Sequence, residues 1–280
     1  MVGIKVEVKE PIHCALAFGS ASIDGRGYKP CCNIRSNSWK RDADDFNHAN
    51  LIEIRNQLIE GDWPKACYNC KESEEASNTS MRTIWNKSLK DYDIPITPIV
   101  DPNNVYYLDL TFSNKCNSKC ITCSPDLSNQ WGDEYKAIWK TDHQPIGHKN
   151  PIDHLSIYID EDDAIDIYNT YPNVERIAFV GGEPTIMEEH TLFCQQLIDG
   201  DRAKNITLAY VSNLTGITNN LIEMWTHFKE IHISLSIDGY GKVNDYIRYP
   251  FKWSKIEKNT RLLFDLQKKE PQRYYLNLSH

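Results

Sequence analysis

Cys116, Cys120 and Cys123 carry the clearest chemical signal in the chain, with the spacing C-x3-C-x2-C. They follow residues 105–112, whose alternation is typical of a β-strand, so we expect the three thiols on the loop that leaves this strand. A structural zinc site uses four protein ligands, and a cubic iron–sulfur cluster is also usually held by four thiolates. Three thiols on one short loop therefore leave one iron open to a ligand that is not protein. An open iron beside a bound small molecule is a reaction centre.

A second set of cysteines lies before residue 100. It consists of Cys14, the adjacent pair Cys31 and Cys32, and the pair Cys67-x2-Cys70. Four or five thiols can close a full tetrahedral site, and both zinc and an iron–sulfur cluster satisfy such a set. The spacing by itself favours zinc. The ninth cysteine, Cys194, lies in a helical pattern and is predicted to be a small buried hydrophobe.

Composition limits the classes of partner. The net charge of −8 argues against a nucleic acid held by phosphate contacts, which needs clustered Lys and Arg. No apolar run approaches the roughly 18–20 residues of a membrane helix, and the N-terminus has no signal-peptide core. Nine cysteines, an odd number at ligand spacing, fit metal binding in a reducing compartment better than a disulfide framework. We therefore expect a cytoplasmic protein with no nucleic-acid and no membrane partner.

A proline-rich linker divides the chain near residue 100. Pro95, Pro98 and Pro102 mark it, so the prediction is a cysteine-rich module over 1–100 and a second domain over 101–280. In the second domain strand and helix patterns alternate, which predicts parallel strands with crossover helices. The predicted strands are 105–112, 176–180, 205–212, 230–237 and 274–279, and the predicted helices are 51–60 in the first domain and 128–140, 161–170, 188–198, 221–229 and 253–269 in the second.

One predicted strand has a polar second face. Between apolar residues, the strand at 230–237 places His232, Ser234 and Ser236 on its other side. Parallel strands normally bury both faces in apolar contacts. A barrel interior that holds a polar ligand explains this pattern, and a hydrated interior explains it equally well.

A glycine-rich turn follows the second strand of this domain. Gly181 and Gly182 allow backbone groups to approach a ligand closely, and Glu183 supplies an acceptor for an ammonium group. Gly-Gly-Glu-Pro on its own is most simply an ordinary tight turn. It becomes specific when it follows the cysteine triplet by one strand.

This pair of motifs resembles the radical S-adenosylmethionine (radical SAM) superfamily, whose members carry C-x3-C-x2-C after the first strand and Gly-Gly-Glu after the second. The order of motifs matches over residues 105 to about 280, and segments 211–215, 234–239 and 246–250 look like further family segments. The resemblance is closest to members with a twitch (SPASM-like) domain. It implies a partial (β/α)6 TIM-like barrel preceded by a small cysteine-rich metal-binding module.

The resemblance also implies roles for individual residues. The triplet would hold a [4Fe-4S] cluster whose open iron is chelated by the amino and carboxylate groups of SAM. One electron would then cleave the sulfonium and release a 5′-deoxyadenosyl radical, which abstracts hydrogen from a substrate. These positions fall at the carboxyl ends of strands, where barrel enzymes place their chemistry. The expected contacts with SAM are Gly181, Gly182 and Glu183 for the amino group, Ser212 and Asn213 for the ribose with Ser236 beside them, and Arg248 for the carboxylate, with a surface arginine as the equal alternative for the last.

The resemblance changes the interpretation of the N-terminal cysteines as well. Twitch and SPASM modules carry a Cys, a glycine shortly before a second Cys, and a later C-x2-C, and they bind auxiliary iron–sulfur clusters. Gly27 stands five positions before Cys32, as in that pattern, whereas the Pro-Cys dipeptide favours Cys31. We predict an auxiliary iron–sulfur cluster on Cys14, Cys31, Cys67 and Cys70, with Cys32 as the substitute for Cys31 and zinc as the alternative metal.

The chain departs from the family in three places. Its cysteine module precedes the barrel, whereas it commonly follows the barrel in the family. The pattern contains five barrel strands where the family has six, so the last helix and strand are missing and we expect a fragment. Thr122 stands where the family usually has an aromatic residue that packs against adenine, so that packing is expected to be weaker or different.

The resulting prediction is a radical SAM enzyme that uses a reductant such as a flavodoxin or ferredoxin. A peptide or protein substrate is the leading expectation, by analogy with families that carry auxiliary clusters. Two alternatives stay open. The first is a zinc-stabilised binding protein without turnover, which metal and sulfide analysis separates from the enzyme. The second is a radical SAM enzyme acting on a nucleotide-derived small molecule, which a substrate screen separates.

Overall fold

The computed structural model describes residues 9–24, 27–34, 45–140 and 156–279 of the chain. The chain divides into two compact units, Met1–Asp109 with Tyr171–Asn173 and Leu110–Thr170 with Val174–His280. The division therefore falls at residue 109, inside a strand, and the proline-rich segment near residue 100 belongs to the first unit.

The first unit contains a short hairpin and several helices. The hairpin strands β1 and β2 are antiparallel, with Ser22 opposite Lys29, and the strand order in this unit is β2-β1-β3. The pattern of the sequence did not predict β1 and β2, because strands this short have too few residues to show alternation. The elements are α1 (Ala15–Gly19), β1 (Ser20–Asp24), β2 (Gly27–Lys29), α2 (Ala49–Ile59), a 3-10 turn (Lys65–Cys67), α3 (Tyr68–Ser77), α4 (Met81–Ser88), a 3-10 turn (Pro102–Asn104) and β3 (Tyr107–Leu110), whose last residue lies in the second unit.

A buried arginine holds the first unit together. Arg55 on α2 is fully buried. Its Nε donates to Ala17 O at 2.9 Å, Nη1 to Asn47 Oδ1 at 3.1 Å and Pro98 O at 3.2 Å, and Nη2 to Phe46 O at 3.0 Å. Burial lowers the pKa of Arg55 to about 10, so the guanidinium is still charged at neutral pH. One side chain thus joins three chain segments to α2.

The second unit is an α/β structure with parallel strands, as the sequence predicts. Strands β4 to β7 are parallel to one another, and Val180 N donates to Leu110 O at 3.0 Å beside the end of β3. The strand order β3-β4-β5-β6-β7 advances without reversal, which is the order of a singly wound barrel wall and not of a doubly wound sheet. The further elements are α5 (Gly132–Trp139), α6 (Glu161–Thr170), β4 (Arg176–Phe179), α7 (Glu188–Asp199), β5 (Thr207–Ser212), α8 (Asn219–Trp225), β6 (Glu230–Ser236), α9 (Lys242–Ile247), α10 (Trp253–Lys269) and β7 (Tyr274–Ser279), with 3-10 turns at Asn129–Trp131, Pro184–Ile186 and Ala203–Asn205.

Several predicted boundaries are wrong by a few residues, and local hydrogen bonds explain why. The helix predicted from 221 begins at Asn219, because the side chain of Thr218 caps it by accepting from Leu221 N. The helix predicted from 128 begins at Gly132, after a 3-10 turn capped by Ser128. The bounds of α6, α10 and β7 agree with the prediction. None of the helices in the described part of the chain is long and apolar enough to cross a membrane.

Strand β6 has the two unlike faces that the sequence predicts. Its apolar positions 231, 233 and 235 are buried, whereas His232 and Ser234 on the opposite face are partly exposed. His232 stacks on Tyr275 of β7, with ring centroids 4.5 Å apart, and Ser234 Oγ donates to Asn277 Oδ1 at 3.2 Å. The second unit therefore carries an open face of polar and aromatic side chains.

The buried face of this sheet is closed by an aromatic cluster around Tyr210. Its hydroxyl accepts from Trp225 Nε1 at 3.1 Å and lies 3.0 Å from His190 Nε2. Burial lowers the pKa of His190 to about 3, so the ring is neutral at physiological pH and packs edge-on against Phe179. Cys194 is fully buried beside this ring, as predicted for a small hydrophobe.

The role of Arg55 predicts a large effect of its removal. Arg55→Met removes the donor of four hydrogen bonds, two of which are buried, so we expect the free energy of unfolding to fall by about 4 kcal/mol. Arg261, exposed on α10 and paired with Glu257 at 2.7 Å, is the control, and Arg261→Met is expected to change it by less than about 0.5 kcal/mol. Urea denaturation measures both. Equal effects of the two substitutions would show that Arg55 is not an organising residue.

Candidate active site

The loop that carries the cysteine triplet is fixed by its own polar side chains. Cys116 N donates to Asn129 Oδ1 at 3.0 Å, and Gln130 Nε2 donates to Cys116 O at 3.1 Å. Ser128 Oγ donates to Ser118 O at 2.7 Å. The C-x3-C-x2-C spacing therefore lies in a loop whose two ends are tied together by hydrogen bonds.

A second loop runs beside the triplet and brings in Arg248. Lys119 N donates to Tyr249 O at 2.6 Å, and Ile121 N donates to Ile247 O at 3.0 Å. These bonds place Arg248 Nη1 3.9 Å from Cys120 Sγ, while Arg248 Nε lies 2.7 Å from Asp238 Oδ2. Arg248 is thus a fixed cation next to a cysteine of the triplet and not a free surface arginine.

The two glycines of the Gly-Gly-Glu turn pack against protein. Gly181 has a φ of +75° and Gly182 a φ of +54°, in the left-handed region that favours glycine. A Cβ at Gly181 would overlap the side chain of Thr111, and a Cβ at Gly182 would overlap the carbonyl oxygen of Lys115. Glu183 N also donates to Lys115 O at 2.9 Å. The close approach that requires glycine is therefore made to the start of the cysteine loop, whereas the sequence suggested an approach to a ligand.

The Glu183 carboxylate is surrounded by protein donors. The residue is 1% exposed, and burial raises the pKa of its carboxyl. Oε1 accepts from Ser212 Oγ at 2.8 Å and from Thr185 Oγ1 at 2.6 Å and N at 3.3 Å, and Oε2 accepts from Asn213 N at 2.6 Å. Glu183 thus links the turn after β4 to the end of β5, which differs from the expectation of an acceptor open to an ammonium group.

Asn213 continues this network to the cysteine loop. Its Nδ2 donates to Asn117 Oδ1 at 2.9 Å and to Ser118 Oγ at 3.0 Å, and lies 3.9 Å from Cys116 Sγ. Asn117 also bonds with Thr215, from Nδ2 to Thr215 Oγ1 at 2.8 Å. Sequence reasoning missed Asn117, Ser118 and Thr215, although polar residues between the ligand cysteines and inside segment 211–215 were the available signal.

Ser236 stands apart from this network. It ends β6 and is buried, in register with Ser279 of β7. Among the described residues it makes none of the hydrogen bonds that join Glu183, Asn213 and the cysteine loop. The structure brings together the triplet, the Gly-Gly-Glu turn, Ser212, Asn213 and Arg248, and leaves Ser236 out of this hydrogen-bonded group.

The three thiols of the triplet are protonated at neutral pH when no metal is bound. Burial raises the pKa of Cys116 to about 11 and also raises those of Cys120 and Cys123, and the charge of Cys120 raises those of the other two further. Within the described residues, no three Cys, His, Asp or Glu side chains are grouped as ligands of a single metal ion. A cubic cluster does not need its ligands grouped around a single ion, since each thiolate binds its own iron. Binding of such a cluster displaces the protons of the thiols.

In the first unit, four cysteines line one cavity, which we call the four-thiol cavity. Burial raises the pKa of Cys31 well above its usual value, and the charges of Cys14 and Cys67 raise it further. Cys32 is exposed and is not among the cavity-lining residues. Four thiols around one cavity fit the donor set of an iron–sulfur cluster. The cysteines that line the cavity are Cys14, Cys31, Cys67 and Cys70.

Of the known proteins compared with this chain, only solved structures are similar to it. No protein-family profile and no curated protein matches the chain. Thirteen solved chains do match. Native anSMEcpe with bound AdoMet (S-adenosylmethionine) is 19% identical, with a TM-score of 0.41, over 61% of this chain and 43% of that one.

A second solved protein covers more of the chain. SuiB of Streptococcus suis bound to S-adenosylmethionine is 15% identical, with a TM-score of 0.37, over 88% of this chain and 52% of SuiB. SuiB bound to its precursor peptide SuiA is also 15% identical, with a TM-score of 0.40, over 92% of this chain and 56% of that one. The chain thus spans about half the length of these solved proteins.

The packing of Gly182 predicts a specific effect on the cysteine loop. Gly182→Ala must move Lys115, so we expect the free energy of unfolding to fall by about 4 kcal/mol. Gly241 has a similar φ of +58° but nothing within 4 Å of an added Cβ, so Gly241→Ala is expected to cost only about 1 kcal/mol. Urea denaturation measures the stability of both variants. Similar losses of stability in Gly182→Ala and Gly241→Ala would show that the left-handed backbone conformation causes the effect and that the contact with Lys115 does not.

Proposed function

We propose that this protein is a radical SAM iron–sulfur enzyme of the twitch type. The observation that carries the proposal is the hydrogen-bonded group at the carboxyl ends of β4 and β5. There the buried carboxylate of Glu183 fixes Ser212 and Asn213, and Asn213 in turn bonds the loop of Cys116. Parallel α/β enzymes place their chemistry at this end of the strands.

In this proposal Cys116, Cys120 and Cys123 hold a [4Fe-4S] cluster with one open iron. When bound, such a cluster and S-adenosylmethionine together supply radical chemistry, namely reductive cleavage of the sulfonium and hydrogen abstraction from the substrate. The burial of Cys120 and the partial burial of Cys116 and Cys123 support this role, because they limit access of water to a reactive centre.

The surrounding residues position this group. Arg248 is held by Asp238 beside Cys120, and a fixed guanidinium at that place suits the carboxylate of S-adenosylmethionine. Asn213 offers its amide near Cys116 Sγ, where a donor stabilises a thiolate. Gly181, Gly182 and Glu183 form the turn that shapes the amino-group site, with Glu183 acting mainly by orienting Ser212 and Asn213. The ribose contacts are assigned to Ser212, Asn213 and Ser236.

The four-thiol cavity is the proposed auxiliary cluster site. Cys31 lines this cavity and Cys32 is exposed, which supports Cys31 as the ligand in preference to Cys32. A site of four protein thiolates has no open position, so its proposed role is electron transfer or structure and not binding of S-adenosylmethionine.

The proposed substrate is a peptide or protein, and the proposed reductant is a flavodoxin or ferredoxin. The open face of β6 and β7 supports a polar substrate, since Ser234 and Asn277 offer hydrogen-bonding groups beside the stacked rings of His232 and Tyr275. A nucleotide-derived small molecule is the second candidate, because the same stack suits a planar base. A screen of both substrate classes separates them.

Electron paramagnetic resonance of the anaerobically reconstituted, dithionite-reduced protein tests the proposal. We expect one cluster signal that shifts when S-adenosylmethionine is added, because an open iron changes its ligand, and a second signal that does not shift. Zinc without acid-labile sulfide, or cluster signals that all ignore S-adenosylmethionine, would contradict the proposal and favour a metal-stabilised binding protein.

Removal of one triplet cysteine should separate the two sites. Cys120→Ala is expected to abolish the shifting signal and the cleavage of S-adenosylmethionine while the other signal stays, because the four-thiol cavity does not include Cys120. Cys194→Ala is the control and should leave both signals in place, since Cys194 packs in the core as a hydrophobe. Loss of both signals in Cys120→Ala would show that the two sites depend on each other.

A further inference from the structure

Arg82 on α4 lines the four-thiol cavity together with the cysteines. It is one of ten lining residues, and its guanidinium lies 5.3 Å from the ring centroid of Trp63, which also lines the cavity. Asn33 is a further lining residue, whose Nδ2 donates to Cys70 Sγ at 3.5 Å. The cavity is therefore not purely apolar around its thiols, and it contains a cationic side chain.

The position of Arg82 is fixed by three hydrogen bonds. Nε donates to Glu74 Oε1 at 2.9 Å, Nη2 to Glu74 Oε2 at 2.5 Å, and Nη1 to the carbonyl oxygen of His13 at 2.6 Å, one residue before Cys14. Ser80 Oγ donates to the same Glu74 carboxylate at 2.6 Å. A guanidinium has five N–H donors, so these bonds leave two of them for another acceptor.

The charge of Arg82 already acts on the thiols. Burial raises the pKa of Cys14 to about 11, and the positive charge of Arg82 opposes this rise. Burial also raises the pKa of Cys67, and Arg82 opposes it in the same way. In the other direction, the pKa of Arg82 is raised first by its hydrogen bond to Glu74 and further by the charges of Cys14 and Cys70.

A metal group held by four thiolates needs such a charge. Four thiolates bring more negative charge than one Zn²⁺ ion or one cubic cluster offsets, so the bound group is an anion inside the protein. A buried anion is costly unless a cation or hydrogen-bond donors accompany it. The reduced form of a cluster is more negative than the oxidised form, so a nearby cation favours reduction.

We infer that Arg82, held by Glu74, is the cationic partner of the metal group in the four-thiol cavity and raises the reduction potential of that group. The inference rests on the proposed auxiliary cluster. Arg82 is a positioning and charge-compensating residue here, since it acts on the metal through the thiolates and does not bind it. Glu74 has two opposite effects: it orients Arg82 and offsets part of its charge.

Two substitutions that each remove one charge are expected to shift the potential in opposite directions. Arg82→Gln removes the cation, so we expect the equilibrium constant for one-electron reduction to fall about tenfold, a potential lower by about 59 mV. Glu74→Gln removes the offsetting negative charge while it keeps an acceptor for Arg82, so the potential is expected to rise. A role confined to packing would not reverse the sign between the two variants.

The experiment is a redox titration monitored by electron paramagnetic resonance on the reconstituted full chain. The Cys120→Ala background leaves only the auxiliary signal to follow. Arg82→Lys should keep most of the parent potential because it keeps the charge, and Arg261→Gln, on an exposed residue of α10, should leave the potential unchanged. Opposite shifts in Arg82→Gln and Glu74→Gln support the inference, and shifts of the same sign or no shifts overturn it.

Two further outcomes are also decisive. If Arg82→Gln fails to fold or to bind metal, Glu74→Gln decides by itself: a raised potential supports the inference and an unchanged one overturns it. If metal analysis gives zinc without sulfide, the proposed auxiliary cluster is wrong, and chelator competition then tests Arg82 separately. In that case about tenfold weaker zinc binding in Arg82→Gln and tighter binding in Glu74→Gln support a cationic partner, and equal affinities overturn it.

Discussion

A carboxylate removed from water loses several kcal/mol of hydration unless protein donors replace the water, and this requirement organises the second unit around Glu183. The donors come from Thr185, on the same turn, and from Ser212 and Asn213, at the end of the next strand. Because these donors must converge on one carboxylate, the ends of β4 and β5 have little freedom relative to each other. The orientation of Asn213 is fixed in the same way, and with it the hydrogen bonds to the loop of Cys116.

In the first unit, hydrogen-bonding groups of the protein hold two cationic side chains in the same way. Arg55 is satisfied by carbonyl and amide oxygens from three segments, and Arg82 by Glu74 and the carbonyl of His13. In both cases a charged group with several donors connects separate segments of the chain. The two units thus each depend on ionic side chains that several hydrogen bonds hold in place.

Element bounds that depend on local apolar periodicity were predicted from the sequence, whereas contacts between residues far apart in the chain were not. The bounds of α10 and β7 follow from apolar spacing and turn residues, and the structure reproduces them. The orientation of Glu183 could not be predicted, since its partners Ser212 and Asn213 lie on another strand. The sequence also left open which of Cys31 and Cys32 is the ligand. The direction of each of two adjacent side chains depends on the backbone conformation, which the sequence pattern does not give.

The packing of Gly181 and Gly182 against Thr111 and Lys115 also bears on how such a protein can diverge. A motif that packs against neighbouring residues is constrained by the scaffold, so a descendant with a changed function would have to keep both glycines. The rings of His232 and Tyr275 on the open face stack on each other and are not part of the hydrogen bonds around Glu183. Substitutions of these two residues would therefore leave those hydrogen bonds intact. Relatives of this chain would accordingly share the glycine turn and differ more freely along the open face of β6 and β7.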